Sequence, residues 1–128
     1  MPSDVEQIKD LLARFIHLRD SGRYDEWIEL FADDATYSYA DDTRHGRAEI
    51  LALTEPFPAF GKHLCLNTSV VVDGDGAEAT SDFVKIHPGP IVQGTERHWT
   101  IVGAGRYLDR FTRVAGEWRL GARRVEIE

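Results

Sequence analysis

The hydrophobic period changes once along this chain, and that change limits the folds open to it. Val5, Ile8, Leu11, Leu12, Phe15 and Ile16 recur with the spacing of one helix face. From His63 nearly to the end the period is two, as in strands with one buried face. Helices first and strands afterwards point to an α+β domain, with helices packed on one face of a curved antiparallel sheet.

Local signals set the boundaries. Ser3-Asp4-Val5-Glu6 reads as a capping box that starts the first helix, and Gly22 stops it. Tyr24, Trp27, Ile28 and Phe31 suggest a second short helix with an aromatic core stripe. Ala35–Tyr39 reads as a strand. Gly46-Arg47 introduces a third helix over about 48–53, ended by Pro56 and Pro58. Leu64–Val72 and Ala77–Ile86 flank Asp73-Gly74-Asp75-Gly76, a strong hairpin turn. His87-Pro88-Gly89-Pro90 is expected to break the sheet. Trp99–Val114 follows as a long strand, bent near Gly103 and Gly105, and Trp118–Ile127 closes the chain. The expected order is helix, helix, strand, helix, then four strands in two hairpins around a pocket, all within one domain over residues 1–128.

Composition narrows the function. The chain has 128 residues and a net charge of −7, which disfavours nucleic-acid phosphates and anionic membrane surfaces as partners. Arg119, Arg123 and Arg124 are read as solvated or paired with acids. No run of 18 apolar residues is present, so no membrane span is expected. The N-terminus reads as helix rather than signal peptide. The single cysteine, Cys65, excludes an internal disulfide and fits a reducing cytoplasm. The histidines lack metal-ligand spacing, so no metal and no cofactor are expected.

One residue breaks the apolar logic of the first helix. Leu12, Ile16 and Asp20 follow at i, i+4 and i+8, so the inward stripe ends in a carboxylate. An inward carboxylate is costly without a partner. His63, at the start of the alternating region, is the best partner in the sequence. An Asp20–His63 pair would be a proton-transfer device, with Asp20 orienting the ring and the free ring nitrogen acting as acid or base. Tyr39 and Tyr107 are candidates to hold a ligand oxygen, and Tyr24 is kept with them as a candidate ligand contact. Asp82 could be a second acid, with Lys85 and Arg106 as its partners. A regular strand would place Cys65 and Asn67 on the face of His63, and so in a cavity wall.

The segments RYDEWIELFADDATYSY, HGRAEI, GKHLCLN and RYLDRFTRVAGEWRL, in this order, resemble the nuclear transport factor 2-like superfamily, and within it SnoaL-like domains. The resemblance spans about residues 4–127. It implies a cone-shaped α+β barrel with an internal cavity, and a homodimer paired through the outer sheet faces. Such families include polyketide cyclases, scytalone dehydratase, ketosteroid isomerase and hexachlorocyclohexane dehydrochlorinase, together with non-catalytic binding domains. Asp20 and His63 match the Asp and His of the dehydratase and dehydrochlorinase branches, and Tyr39 matches a strand tyrosine of scytalone dehydratase. That enzyme's second histidine, its tyrosine beside the helix-end Asp and its later asparagine are replaced by Asp82, Arg19 and Tyr107. The resemblance therefore implies a cofactor-independent lyase or isomerase acting on a small, mostly apolar, ring-sized molecule. The alternative is a ligand-binding or accessory domain without catalysis.

Overall fold

The computed structural model describes residues 1–92, 94 and 96–128. Helix α1 (Asp4–Asp20) begins where Ser3 Oγ accepts the Glu6 backbone N–H at 3.2 Å. Its inward residues Ile8, Leu11, Leu12 and Phe15 are buried, as their spacing requires. Helix α2 (Tyr24–Ile28) is short and buries Trp27 and Ile28. Phe31 is fully buried but belongs to the first strand rather than to α2. Helix α3 (Gly46–Leu51) continues into a 3₁₀ turn, Ala52–Thr54, just before Pro56.

Six strands form one sheet: β1 (Phe31–Tyr39), β2 (Asp42–His45), β3 (Lys62–Asp73), β4 (Gly76–Val92), β5 (Glu96–Val114) and β6 (Glu117–Ile127). Their order is β2-β1-β6-β5-β4-β3. The sheet is antiparallel except between β1 and β6, which run parallel. The α+β architecture with N-terminal helices against a curved, unclosed sheet agrees with the sequence reading. The β1–β2 hairpin and the parallel pair were not foreseen.

Two further differences have clear causes. His87-Pro88-Gly89-Pro90 does not break the sheet, because β4 runs through it and pairs with β5 at His87↔Thr100 and Pro88↔Trp99. Strand β3 begins at Lys62 opposite Ile86, so beyond that point one edge of β4 is unpaired. Proline is tolerated beside such a free edge, and the β4–β5 register shifts between Pro88 and Ile91, where the second proline lies. The second difference is a bulge in β3 between Leu66 and Ser69. Asn67 sits there with φ 55°, a left-handed conformation that asparagine tolerates better than most residues.

The irregularity expected in β5 is a bulge between Ile101 and Gly103. A Cβ on Gly105 would lie 2.1 Å from the Glu126 carbonyl oxygen and 2.8 Å from the Phe83 ring, so only glycine fits there. The main core lies between α1, α2 and the inner sheet face, and joins Ile8, Leu11, Phe15, Trp27, Phe31, Phe111, Trp118 and Leu120. At its far end Asp4 ties the start of α1 to the sheet. Its carboxylate takes both Arg113 terminal nitrogens at 2.9 Å and the Trp118 indole N–H at 3.1 Å. The outer sheet face keeps Leu64, Leu66, Trp99 and Ile101 exposed. Among the described residues no helix is long and apolar enough to cross a membrane.

Candidate functional site

The end of α1 and the start of β3 meet over a cavity. Asp20 is the last residue of α1, and its apolar stripe aims it inward. Asp20 Oδ1 lies 2.7 Å from His63 Nδ1, and Oδ2 accepts the His63 backbone N–H at 2.7 Å. One carboxylate therefore holds both the ring and the main chain of His63. A carboxylate can only accept, so Nδ1 carries the hydrogen in the neutral ring. Nε2 is then the basic nitrogen. The two side chains are 14% and 23% exposed, which is sheltered but accessible.

The cavity has a volume of about 340 Å³, near the lower bound of roughly 300–1,000 Å³ usual for small-molecule sites. Its walls are mainly apolar: Phe15, Ile16, Trp27, Phe83 and Val125, with Phe57, Pro58 and Phe60 over the mouth. The mouth segment is fixed to the helices. Tyr24 Oη accepts the Ala59 backbone N–H at 2.8 Å, and the Arg19 guanidinium donates to the Phe57 carbonyl. Gly61, with φ +76°, ends this segment, and a Cβ there would lie 2.3 Å from the Ile86 carbonyl oxygen.

The cavity floor is built on a buried ion pair. Arg123 donates to Asp109 through Nε at 2.8 Å and a terminal nitrogen at 3.0 Å, and both side chains are almost fully buried. The guanidinium lies over the rings of Tyr107 and Phe15, at 3.8 and 4.4 Å. Burial works against its charge, but the Asp109 charge and hydrogen bonds more than offset this, so Arg123 is held charged. Tyr107 stacks on Phe83 with ring centres 4.3 Å apart. Burial pushes the phenols of Tyr107 and Tyr37 above the usual tyrosine range, with Arg123 pulling the other way. Both tyrosines line the cavity as neutral hydrogen-bond donors.

The structure sorts the expected site residues. Asp20, His63, Tyr39 and Tyr107 line the cavity, with Tyr39 at its exposed edge. Tyr24 does not; it braces the mouth segment from outside. Asp82 and Asn67 lie on the opposite sheet face, where Asn67 Nδ2 donates to Asp82 Oδ2 at 3.0 Å and Arg106 pairs with Asp82 at 3.3 Å. Hydrogen bonds from Asn67 and Arg106 hold the Asp82 carboxyl below the usual range, as a surface anion. Asp82 alternates with the inward Ser81 and Phe83 of β4, while the extra residue at Asn67 reverses the early part of β3 and turns His63 inward, away from the face of Asp82 and Asn67. Lys85, opposite His63 in the β3–β4 ladder, takes the inward place expected for Asp82. Tyr37 and Arg123 were also missed as cavity residues. Tyr37 could have been found from its parity with Tyr39. Among the described residues no cluster of three or more His, Cys, Asp or Glu is placed to hold a metal.

A family model described as a SnoaL-like domain matches residues 2–124. The chain belongs to the SnoaL-like domain family. No curated protein matches it. Among solved structures, an NTF2-like protein with a cystatin-like fold from Novosphingobium aromaticivorans is 30% identical, with TM-score 0.81, covering 97% of this chain and 81% of that one. A protein of unknown function from Mycobacterium tuberculosis is 24% identical, with TM-score 0.84, covering 98% and 72% of the two chains. A structure from Novosphingobium aromaticivorans, named as a candidate scytalone dehydratase, is 23% identical, with TM-score 0.80, covering 98% and 84%. The last two show the shared fold. The cavity of this SnoaL-like domain is lined by the polar side chains of Arg19, Asp20, Tyr37, Tyr39, Asp42, His63, Lys85, Tyr107 and Arg123.

Proposed function

We propose that this SnoaL-like domain is a cofactor-independent acid–base enzyme of the lyase or isomerase type. Its substrate is a small, mostly apolar, ring-sized molecule bound in the cavity. The observation that carries this reading is the two-point hold of Asp20 on His63, at 2.7 Å to both the ring and the backbone, beside an apolar cavity.

The chemistry follows from that hold. Asp20 accepts the Nδ1 hydrogen and leaves Nε2 with its lone pair as the base. Nε2 takes a proton from a substrate carbon next to an oxygen-bearing carbon. The imidazolium so formed is stabilised by the Asp20 charge. It then returns the proton to another carbon, giving isomerisation, or to a departing hydroxyl, giving dehydration. Tyr39 and Tyr107 hold the substrate oxygen where negative charge builds up. General acid–base catalysis of this kind contributes about 10²- to 10⁴-fold in rate.

The test is proton exchange from carbon. The wild-type protein is incubated in heavy water with a cyclic ketone such as β-tetralone, and deuterium incorporation is followed by proton NMR. Catalysed exchange is expected in the wild type. A loss of at least about a hundredfold is expected in His63→Ala, with the fold retained. Exchange that is equally fast in His63→Ala, or no faster than in buffer with the wild type, overturns the proposal. A binding domain without catalysis predicts the latter result.

A further inference from the structure

The cavity carries positive charge that no protein carboxylate matches. Along β4 the inward residues Ala77, Ala79, Ser81 and Phe83 are buried and uncharged. Lys85 continues that series and lines the cavity directly opposite His63. Side chains opposed in this way have Cβ atoms about 4.5–5.5 Å apart. Among the described residues Lys85 forms no ion pair. Arg19, the second cation on the wall, meets a carbonyl and two aromatic rings but no carboxylate. The acids of the cavity are already engaged: Asp20 by His63, and Asp42 by Arg44 at 2.9 Å.

A second depression gives the contrast. An open groove of about 560 Å³ runs past Arg47, Arg110 and Arg119. There each arginine has its acid: Asp33 at 3.1 Å, Glu78 at 3.6 Å and Glu117 at 2.7 Å. In a chain of net charge −7 the three arginines of this groove are each matched by an acid, while the two cavity cations Lys85 and Arg19 are not. The same imbalance shows in Trp27, a cavity residue whose buried indole N–H has no partner among the described residues. Apart from the free Nε2 of His63, the polar groups left over in the cavity include two cations and an indole donor, which an acceptor with negative charge would meet.

We infer that the ligand of this cavity is an organic anion: a ring-sized apolar body bearing a carboxylate or an ionised phenol, whose charged oxygen sits on Lys85 beside His63. This rests on the proposed function for the place of the site but not for turnover. Lys85 fixes the end of the molecule that lies next to the His63 ring, and so fixes which carbon the base can reach. Arg19, behind the mouth segment, adds attraction to the same charge.

Binding tests this without any turnover. Affinities of the protein for naphthoate and for naphthamide, its neutral counterpart of equal size, are measured by calorimetry. Ionised nitrophenol and its methyl ether give the phenolate arm. The anion of at least one pair should bind at least about tenfold more tightly than its neutral partner, as for a charge-assisted hydrogen bond. Which pair shows the preference tells carboxylate from phenolate. In Lys85→Met the preference should collapse to less than about threefold, while the neutral compound keeps its affinity and so reports an intact cavity. Lys85→Arg should keep the preference. Neutral compounds that bind as well as both anions, no binding by any of the four, or a preference that survives in Lys85→Met overturns the inference. His63→Ala should still prefer the anion, so a failed exchange assay and a failed anion preference are separate results.

Discussion

Helix α1 carries a carboxylate at each end, and the two have been put to opposite uses. Asp4, at the start, is held by Arg113 and Trp118 against a filled core. Asp20, at the finish, holds an imidazole over an empty space of about 340 Å³. Both acids accept bonds across the helix–sheet boundary. The difference lies in the partner and in what surrounds it. An arginine has no lone pair to offer and stays charged, so the Asp4 cluster is a fastener. A histidine engaged through one nitrogen keeps a second for chemistry. Between them, Asp109 and Arg123 form the floor that separates packed core from cavity.

The comparison predicts that damage to the floor and fastener costs stability, and that damage at the cavity end costs rate. The largest loss of stability is expected in Asp109→Ala, which strands the Arg123 charge in the interior. It should destabilise the fold by about 3–5 kcal/mol in a urea titration. Asp20→Asn is expected to slow proton exchange at least about a hundredfold, while changing unfolding free energy by less than about 1 kcal/mol. If Asp20→Asn instead destabilises as much as Asp109→Ala, both ends of α1 are structural and the contrast is broken.

A third prediction sharpens the account of the bulge. Asn67→Val places a β-branched residue at φ 55°, at an expected cost of about 1–2 kcal/mol. Asn67→Gly should be neutral or slightly stabilising. Valine tolerated as well as glycine would mean that the left-handed turn is not fixed there.

Titration separates the two regions more gently. Tyr37 and Tyr107 hold their protons above the usual range because burial opposes the phenolate. A raised native pKa gives stability that is complete below the unfolded value and lost above it. Stability should therefore fall as pH rises past about 10, with these two phenols ionising only as the protein unfolds. Ultraviolet absorbance of tyrosinate against circular dichroism checks this. Asp4 behaves the other way. Hydrogen bonds from Arg113 and Trp118 lower its pKa, so its contribution is present above the ordinary carboxylate range and fades as pH falls below about 3.9. Asp4→Asn should lower Tm at neutral pH and converge with the wild type in acid.

What the sequence revealed, and what it hid, follows from one bulge. The period change set the α+β order, the helical stripe aimed Asp20 inward, and the turn at Asp73–Gly76 placed the β3–β4 hairpin. Counting back from that turn, Asp73 opposite Gly76, an unbroken ladder would set His63 opposite Ile86 and on one face with Asp82 and Asn67, which is the outer face. The extra residue at Asn67 sets His63 opposite Lys85 instead. Asp82 and Asn67 were expected on the His63 face, and Lys85 was expected as a partner of Asp82 rather than beside His63, because this step was not counted. An asparagine inside a strand-like run is the one local sign of such a step. The parallel β1–β6 pair left no comparable sign, because it joins distant segments whose alternation is the same in either direction. Arg123 reads as one of three late arginines until the fold buries it against Asp109.

The account turns on Asp20 presetting His63 as a base with one nitrogen free, and nitrogen NMR of the His63 ring tests it most directly. The prediction is that the ring in its neutral form carries hydrogen on Nδ1 and leaves Nε2 unprotonated, and that this fixed tautomer is lost in Asp20→Asn. Hydrogen on Nε2 in the wild type, or a rapidly averaged ring indifferent to Asp20→Asn, would contradict it.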